Sequence, residues 1–203
     1  GQPNAAPQPA SMKALFQSLG RTVLAGFVLV LALVLLVGDI KMGHAWGTFA
    51  MRWLHVLCGV MWVGLLWYFN FVQIPSMGSI PDEQKPAISQ VIAPAALFWF
   101  RWASLATVAT GLLLAAMSGY IMAALGLHRP FLAIGIGMWL ALVMAFNVWF
   151  ILWPAQKEAL GIVAVDAARK ARAARVALLT SRVNTMLSIP MLFCMVAQQN
   201  GGL

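Results

Sequence analysis

Charge is scarce in this chain. Asp, Glu, Lys and Arg make up 9% of its 203 residues, where a soluble domain carries roughly a quarter. Acidic residues are scarcest, 5 against 13 Lys and Arg. Cysteine occurs only twice, at Cys58 and Cys194, both within apolar runs, which reads as buried small hydrophobes rather than a disulfide framework. The absence of C-x-x-C-H excludes covalently attached haem c. The absence of H-E-x-x-H, a P-loop, G-x-S-x-G and G-x-G-x-x-G removes the common soluble enzyme chemistries. No RNA- or DNA-binding pattern accompanies the net charge of +8, so the excess is assigned to cytoplasmic loops beside anionic lipid and not to nucleic acid.

What the chain has instead is apolar length. It is 62% hydrophobic with a mean hydropathy of +0.86, enough for about five spans of roughly 20 residues. The expected architecture is an all-α integral membrane bundle, 22–203, preceded by a flexible tail (1–11) and a short interfacial segment from Leu15 to Arg21. Span one, 22–38, is a Leu/Val/Ala run. It has the length of a signal-peptide core, but no small-x-small cleavage site follows it. Spans two to five are expected at 48–74, 94–125, 131–153 and 176–198. The Pro-rich stretch from Pro75 to Ala93 reads as a loop. The Ala/Arg-rich stretch from Gln156 to Arg175 reads as a helix running into span five, which Pro190 should kink. Loop charge (Lys13, Arg21, Lys85, Lys157, Arg169, Lys170, Arg172 and Arg175 on one side) places the N-terminus of this multi-pass chain in the cytoplasm.

Span two organises the rest. Met51 to Pro75 is long enough to cross a bilayer yet carries Arg52, His55, Asn70 and Gln73. At 3.6 residues per turn, His55, Gly59, Trp62, Leu66, Asn70 and Gln73 share one stripe, which should face protein or a cofactor and not lipid. Span four repeats its pattern. Met61-Trp62 and Phe69-Asn70 precede Pro75, and Met138-Trp139 and Phe146-Asn147 precede Pro154, with the same spacing of eight. Chance recurrence in an apolar chain is one explanation. Duplicated helical pairs, two-three and four-five, are the other.

Three readings of the histidines stand side by side. An intramembrane His is a functional candidate by default, so His55 is a candidate axial ligand of a b-type haem, with Arg52 near its propionates. A metal site would need His44 and His128 as well. The plainest reading is a neutral His55 bonded across helices. Arg101 and Arg182 lack acidic partners within the spans. They either snorkel to the headgroups or, with Asn70, Gln73, Asn147 and Asn184, bind an anion or lipid phosphate. The asparagines also serve as links between helices.

The segments RWLHVLCGVMWVGLLWYFNFVQIP, ALFWFRWASLATVATGLLLA, MAFNVWFILWPAQKEALGIV and SRVNTMLSIPMLF together resemble the membrane domain of the urate hydroxylase (PuuD) family, the urate oxidase N-terminal domain. Arg52 and His55 match its R-W-x-H motif. The resemblance implies a bacterial inner-membrane bundle. Longer members add a cytochrome c domain and oxidise urate with electrons passed onward. Without C-x-x-C-H, this sequence resembles a short form serving as a subunit or accessory of a respiratory or photosynthetic electron-transfer complex. Its expected partners are lipid, other membrane subunits or a second copy, and a periplasmic cytochrome c. A urate-hydroxylase-like oxidoreductase using His55, Arg101 and Arg182 is the alternative, and a small-solute transporter is third.

Overall fold

Leucine, valine and alanine dominate the apolar runs, and the backbone polar groups of such segments can be satisfied in hydrocarbon only by helix or a closed barrel. The computed structural model describes residues 14–203, and helix is the solution taken, with no strand among the described residues. Five helices are long and apolar enough to cross a membrane: α1 (Leu19–Val37), α2 (His44–Ser79), α3 (Ala87–Met117), α5 (Leu132–Ala159) and α6 (Ala167–Asn200). A short helix, α4 (Ile121–Leu125), joins α3 to α5. The expected tail at 1–11 lies outside the described residues. The chain divides into two units, one ending at Trp46 and one spanning Gly47–Leu203.

The first unit holds α1, a continuous apolar helix. Thr22 Oγ1 donates to the Ser18 carbonyl at 3.0 Å and so reinforces its first turn.

The second unit is built from α2, α3, α5 and α6. Residue pairing fixes their directions. His55 meets Thr107 and Phe69 meets Phe100, so α2 and α3 are antiparallel. Arg101 meets Trp153 and Ser104 meets Trp149, while Asn147 meets Asn184 and Ile134 meets Gln198, so α3–α5 and α5–α6 are antiparallel too. Helices α2 and α5 therefore run parallel, as duplicated pairs require. The core joins Trp62, Leu66 and Phe69 of α2 with Leu97 and Phe100 of α3, Met144, Val148 and Leu152 of α5, and Met191 of α6. The buried positions of α2 include Trp62, Leu66 and Asn70, so the predicted stripe does face protein. Cys194 is buried, Cys58 is half-buried, and both are free.

Three helices differ from the sequence expectation for one reason. Pro75, Pro94 and Pro154 mark the helix ends expected from the sequence. Each is instead preceded by a π-helical turn: Phe69–Gln73, Ala87–Ile92 and Asn147–Leu152. A proline ring clashes with the carbonyl four residues earlier. Those residues, Phe71, Gln90 and Phe150, each lie inside the widened turn, which carries the helix past the proline. So α2 and α5 extend beyond their prolines, and α3 begins before Pro94. The expected span 94–125 also breaks. Gly119 adopts φ +80, a conformation cheap only for glycine, and α4 follows as a separate helix. Gly135 then lets α5 approach α4: a Cβ there would lie 2.1 Å from the Ala124 carbonyl oxygen. Helix α6 runs from its Asp166 cap, whose side chain accepts from Arg169 N at 2.8 Å, through Pro190 to Asn200.

Candidate functional site

The four helices of the second unit do not close on one another along their whole length. Between them lies a cleft of about 820 Å³, within the size range of small-molecule and cofactor sites. Its walls are apolar, with Val63, Leu112, Leu142 and the thioethers of Met138, Met191 and Met195 among them. Polar groups gather at Arg52, Tyr120, Gln198 and Asn200. Gly64 lines the cleft, and a Cβ there would meet nothing within 4 Å.

His55 lines this cleft, and its orientation is set by α3. Nδ1 lies 2.9 Å from the Thr107 carbonyl oxygen and 3.1 Å from Thr110 Oγ1. A carbonyl oxygen can only accept, so Nδ1 carries the proton. Thr110 Oγ1 spends its own hydrogen on the Ala106 carbonyl at 2.7 Å and accepts from the ring. The neutral imidazole therefore keeps its lone pair on Nε2, the tautomer that suits metal ligation. The ring lies flat enough against α3 that only glycine fits beneath it. A Cβ at Gly111 would stand 2.8 Å from His55 Cε1.

Two further groups bear on the cleft. Trp62 is fully buried, and its Nε1 has no hydrogen-bond partner among the described residues. Tyr120 sits in the turn outside the spans, its ring stacked on Phe131 at 5.0 Å. Burial pushes its phenol above the usual value of 10.0, against the opposing pull of the Arg52 charge.

The remaining sequence candidates lie elsewhere. Asn70 Nδ2 donates to the Leu66 carbonyl and to Ser181 Oγ, each at 2.8 Å. Asn147 donates to Asn184 Oδ1 at 2.9 Å, and Asn184 donates to the Met144 carbonyl at 3.1 Å. These three asparagines lie at the seams of α6 with α2 and α5. Gln73 accepts from the Tyr68 hydroxyl at 3.2 Å. Arg101 stacks on Trp153, and Arg182 is exposed. His44 and His128 are exposed, and no group of three or more His, Cys, Asp or Glu among the described residues is placed to hold a metal ion.

Helices α5 and α6, with the methionines and Gln198 they bring to the cleft, fall within one stretch that is similar to a known family. Residues 128–201 match the urate oxidase N-terminal family. The match takes in one side of the cleft, and Arg52 and His55 lie outside it. No curated protein and no solved structure matches the chain. The resemblance seen in the sequence thus has an independent counterpart over α5 and α6. Sequence reading named Arg52 and His55 but missed Thr107, Thr110, Gly111 and the three methionines. The T-V-A-T-G run at 107–111 carried the signal, because Thr110 and Gly111 lie within one turn of Thr107 on the helix that faces α2.

Proposed function

We propose that this protein is a multi-pass subunit of a bacterial inner-membrane electron-transfer complex that holds one b-type haem in the cleft, on His55. Five membrane-length helices and the urate oxidase N-terminal match support a membrane role related to oxidoreduction. The observation that carries the haem reading is the His55 tautomer, with Nδ1 anchored on the Thr107 carbonyl and Nε2 left basic.

The donor set fits. His55 Nε2 would supply one ligand nitrogen, and Met138, Met191 or Met195 of the cleft lining a thioether, a pairing known to hold haem iron. Arg52, one turn before His55, would balance the propionates. A bound haem supplies one-electron transfer. The chain's own part is to hold the imidazole plane through Thr107 and Thr110, to keep the ring seated on Gly111, and to exclude water with apolar walls, which sets the potential. The test is the haem content of the detergent-purified chain. About one b haem per chain is expected, and none in a folded sample would overturn the reading.

The family match favours a second reading, a urate-hydroxylase-like oxidoreductase. The arginine lining the cleft is Arg52 rather than Arg101 or Arg182, so an anionic purine would be met there by Arg52, Gln198 and Asn200. Turnover of urate by the purified chain alone would select this reading.

A further inference from the structure

Away from the cleft, α3 and α5 bring two cations to one aromatic ring. The Arg101 guanidinium carbon lies 3.5 Å from the centroid of the Trp153 ring, and Lys157 Nζ lies 5.5 Å from it. Arg101 Nε is buried and has no hydrogen-bond partner among the described residues. The two ion pairs among the described residues join Lys85 to Asp82 and Arg169 to Glu158, so neither Arg101 nor Lys157 has an acidic partner there. Two like charges at one indole repel each other, and a cation within a membrane-spanning helix is costly when unpaired. An anion would relieve both.

The geometry also says which anion. With Trp153 covering one face, the guanidinium is held in a plane with its N–H edge left over, the arrangement that bonds phosphate oxygens in parallel pairs. Lys157 adds a point charge. Gln156 Oε1, one turn after Trp153, is another buried atom without a partner among the described residues. As an acceptor it needs a donor, which a hydroxylated headgroup has. We propose that Arg101, Trp153 and Lys157 form a site for a phosphate ester, supplied by the headgroup of an anionic phospholipid.

The test is native mass spectrometry of the full chain titrated with dioleoyl-phosphatidylglycerol, dioleoyl-phosphatidylcholine and inorganic phosphate. Phosphatidylglycerol should bind more tightly than phosphatidylcholine. Each cation removed should weaken it about fivefold, so the Arg101→Gln/Lys157→Gln pair should lose roughly 25-fold. Lys157→Gln alone, in the last turn of α5, provides a fold-safe variant with the fivefold loss. Exposed Arg172 and Arg175 of α6 give a charge-matched control, and their double Gln variant should stay within about twofold of wild type. Competition by inorganic phosphate would keep the phosphate site but overturn the lipid source, and its absence supports the lipid. Equal binding of the two lipids, or equal losses in the site and control pairs, would overturn the proposal.

Discussion

Replacing Gly111 by alanine adds one methyl group under His55. That methyl would stand 2.8 Å from Cε1 and 3.2 Å from Nδ1, whereas carbon atoms settle at about 3.5–4.0 Å. The ring must retreat by close to 1 Å, which lengthens the 2.9 Å bond from Nδ1 to the Thr107 carbonyl beyond hydrogen-bond range. Overpacking of this kind costs about 1–3 kcal/mol. Alanine returns about 0.5–1 kcal/mol through its better helix propensity, which leaves a net loss of about 0–2.5 kcal/mol. Gly64→Ala is the internal standard. Its methyl meets nothing within 4 Å, so it should gain about 0.5–1 kcal/mol. Unfolding in mixed detergent micelles, followed by helicity, compares the two variants on one scale. They should differ by about 1–3 kcal/mol, and only Gly111→Ala should disturb the seating of His55. A Gly111→Ala protein as stabilised as Gly64→Ala would refute the account of how the ring is seated.

Three other perturbations test the frame around the cleft. Gly135→Ala drives a methyl into the Ala124 carbonyl oxygen, which is backbone and cannot turn aside. It should cost roughly 3 kcal/mol or more in the same unfolding assay. Asn184→Ala strands the Asn147 side-chain amide and removes the second of two bonds to the Met144 carbonyl and should cost about 1–2 kcal/mol, with Asn184→Asp a poor rescue because it cannot donate to Met144. Tyr120 ionises less readily folded than unfolded, because burial raises its phenol above 10.0. The unfolded chain then binds fewer protons above that value, so stability falls as pH rises through it and is unaffected below. Tyr120→Phe should remove this alkaline loss, and the phenolate absorbance lost in that variant should be that of a phenol titrating above 10.0.

Much of this was legible in the sequence because hydrocarbon leaves few options. The apolar runs yielded five spans, and the stripe on α2 placed Trp62, Leu66 and Asn70 in the interior. The helix ends were less legible, because proline has two outcomes. It can stop a helix, as assumed at Pro75 and Pro154, or be bypassed by a π-helical turn, as happens there, and the choice depends on packing against neighbours. Of the cleft, Arg52 and His55 stood out because polar groups are rare in a span. Gly111 and Thr107 did not. A glycine and a threonine in an apolar helix are ordinary, and their meaning comes only from the α2–α3 pairing that sets His55 against them. Arg101 stood out as an unpaired cation, but its partner ring at Trp153 is a tertiary fact that no spacing within α3 reveals.

The central claim, that His55 presents Nε2 to a haem iron, is tested most directly by a reduced-minus-oxidised visible spectrum of the detergent-purified chain beside His55→Ala. The account predicts a b-type band in the wild type that is lost in the variant while the helices remain folded. A folded wild-type protein with no band, or a band unchanged in His55→Ala, would contradict it.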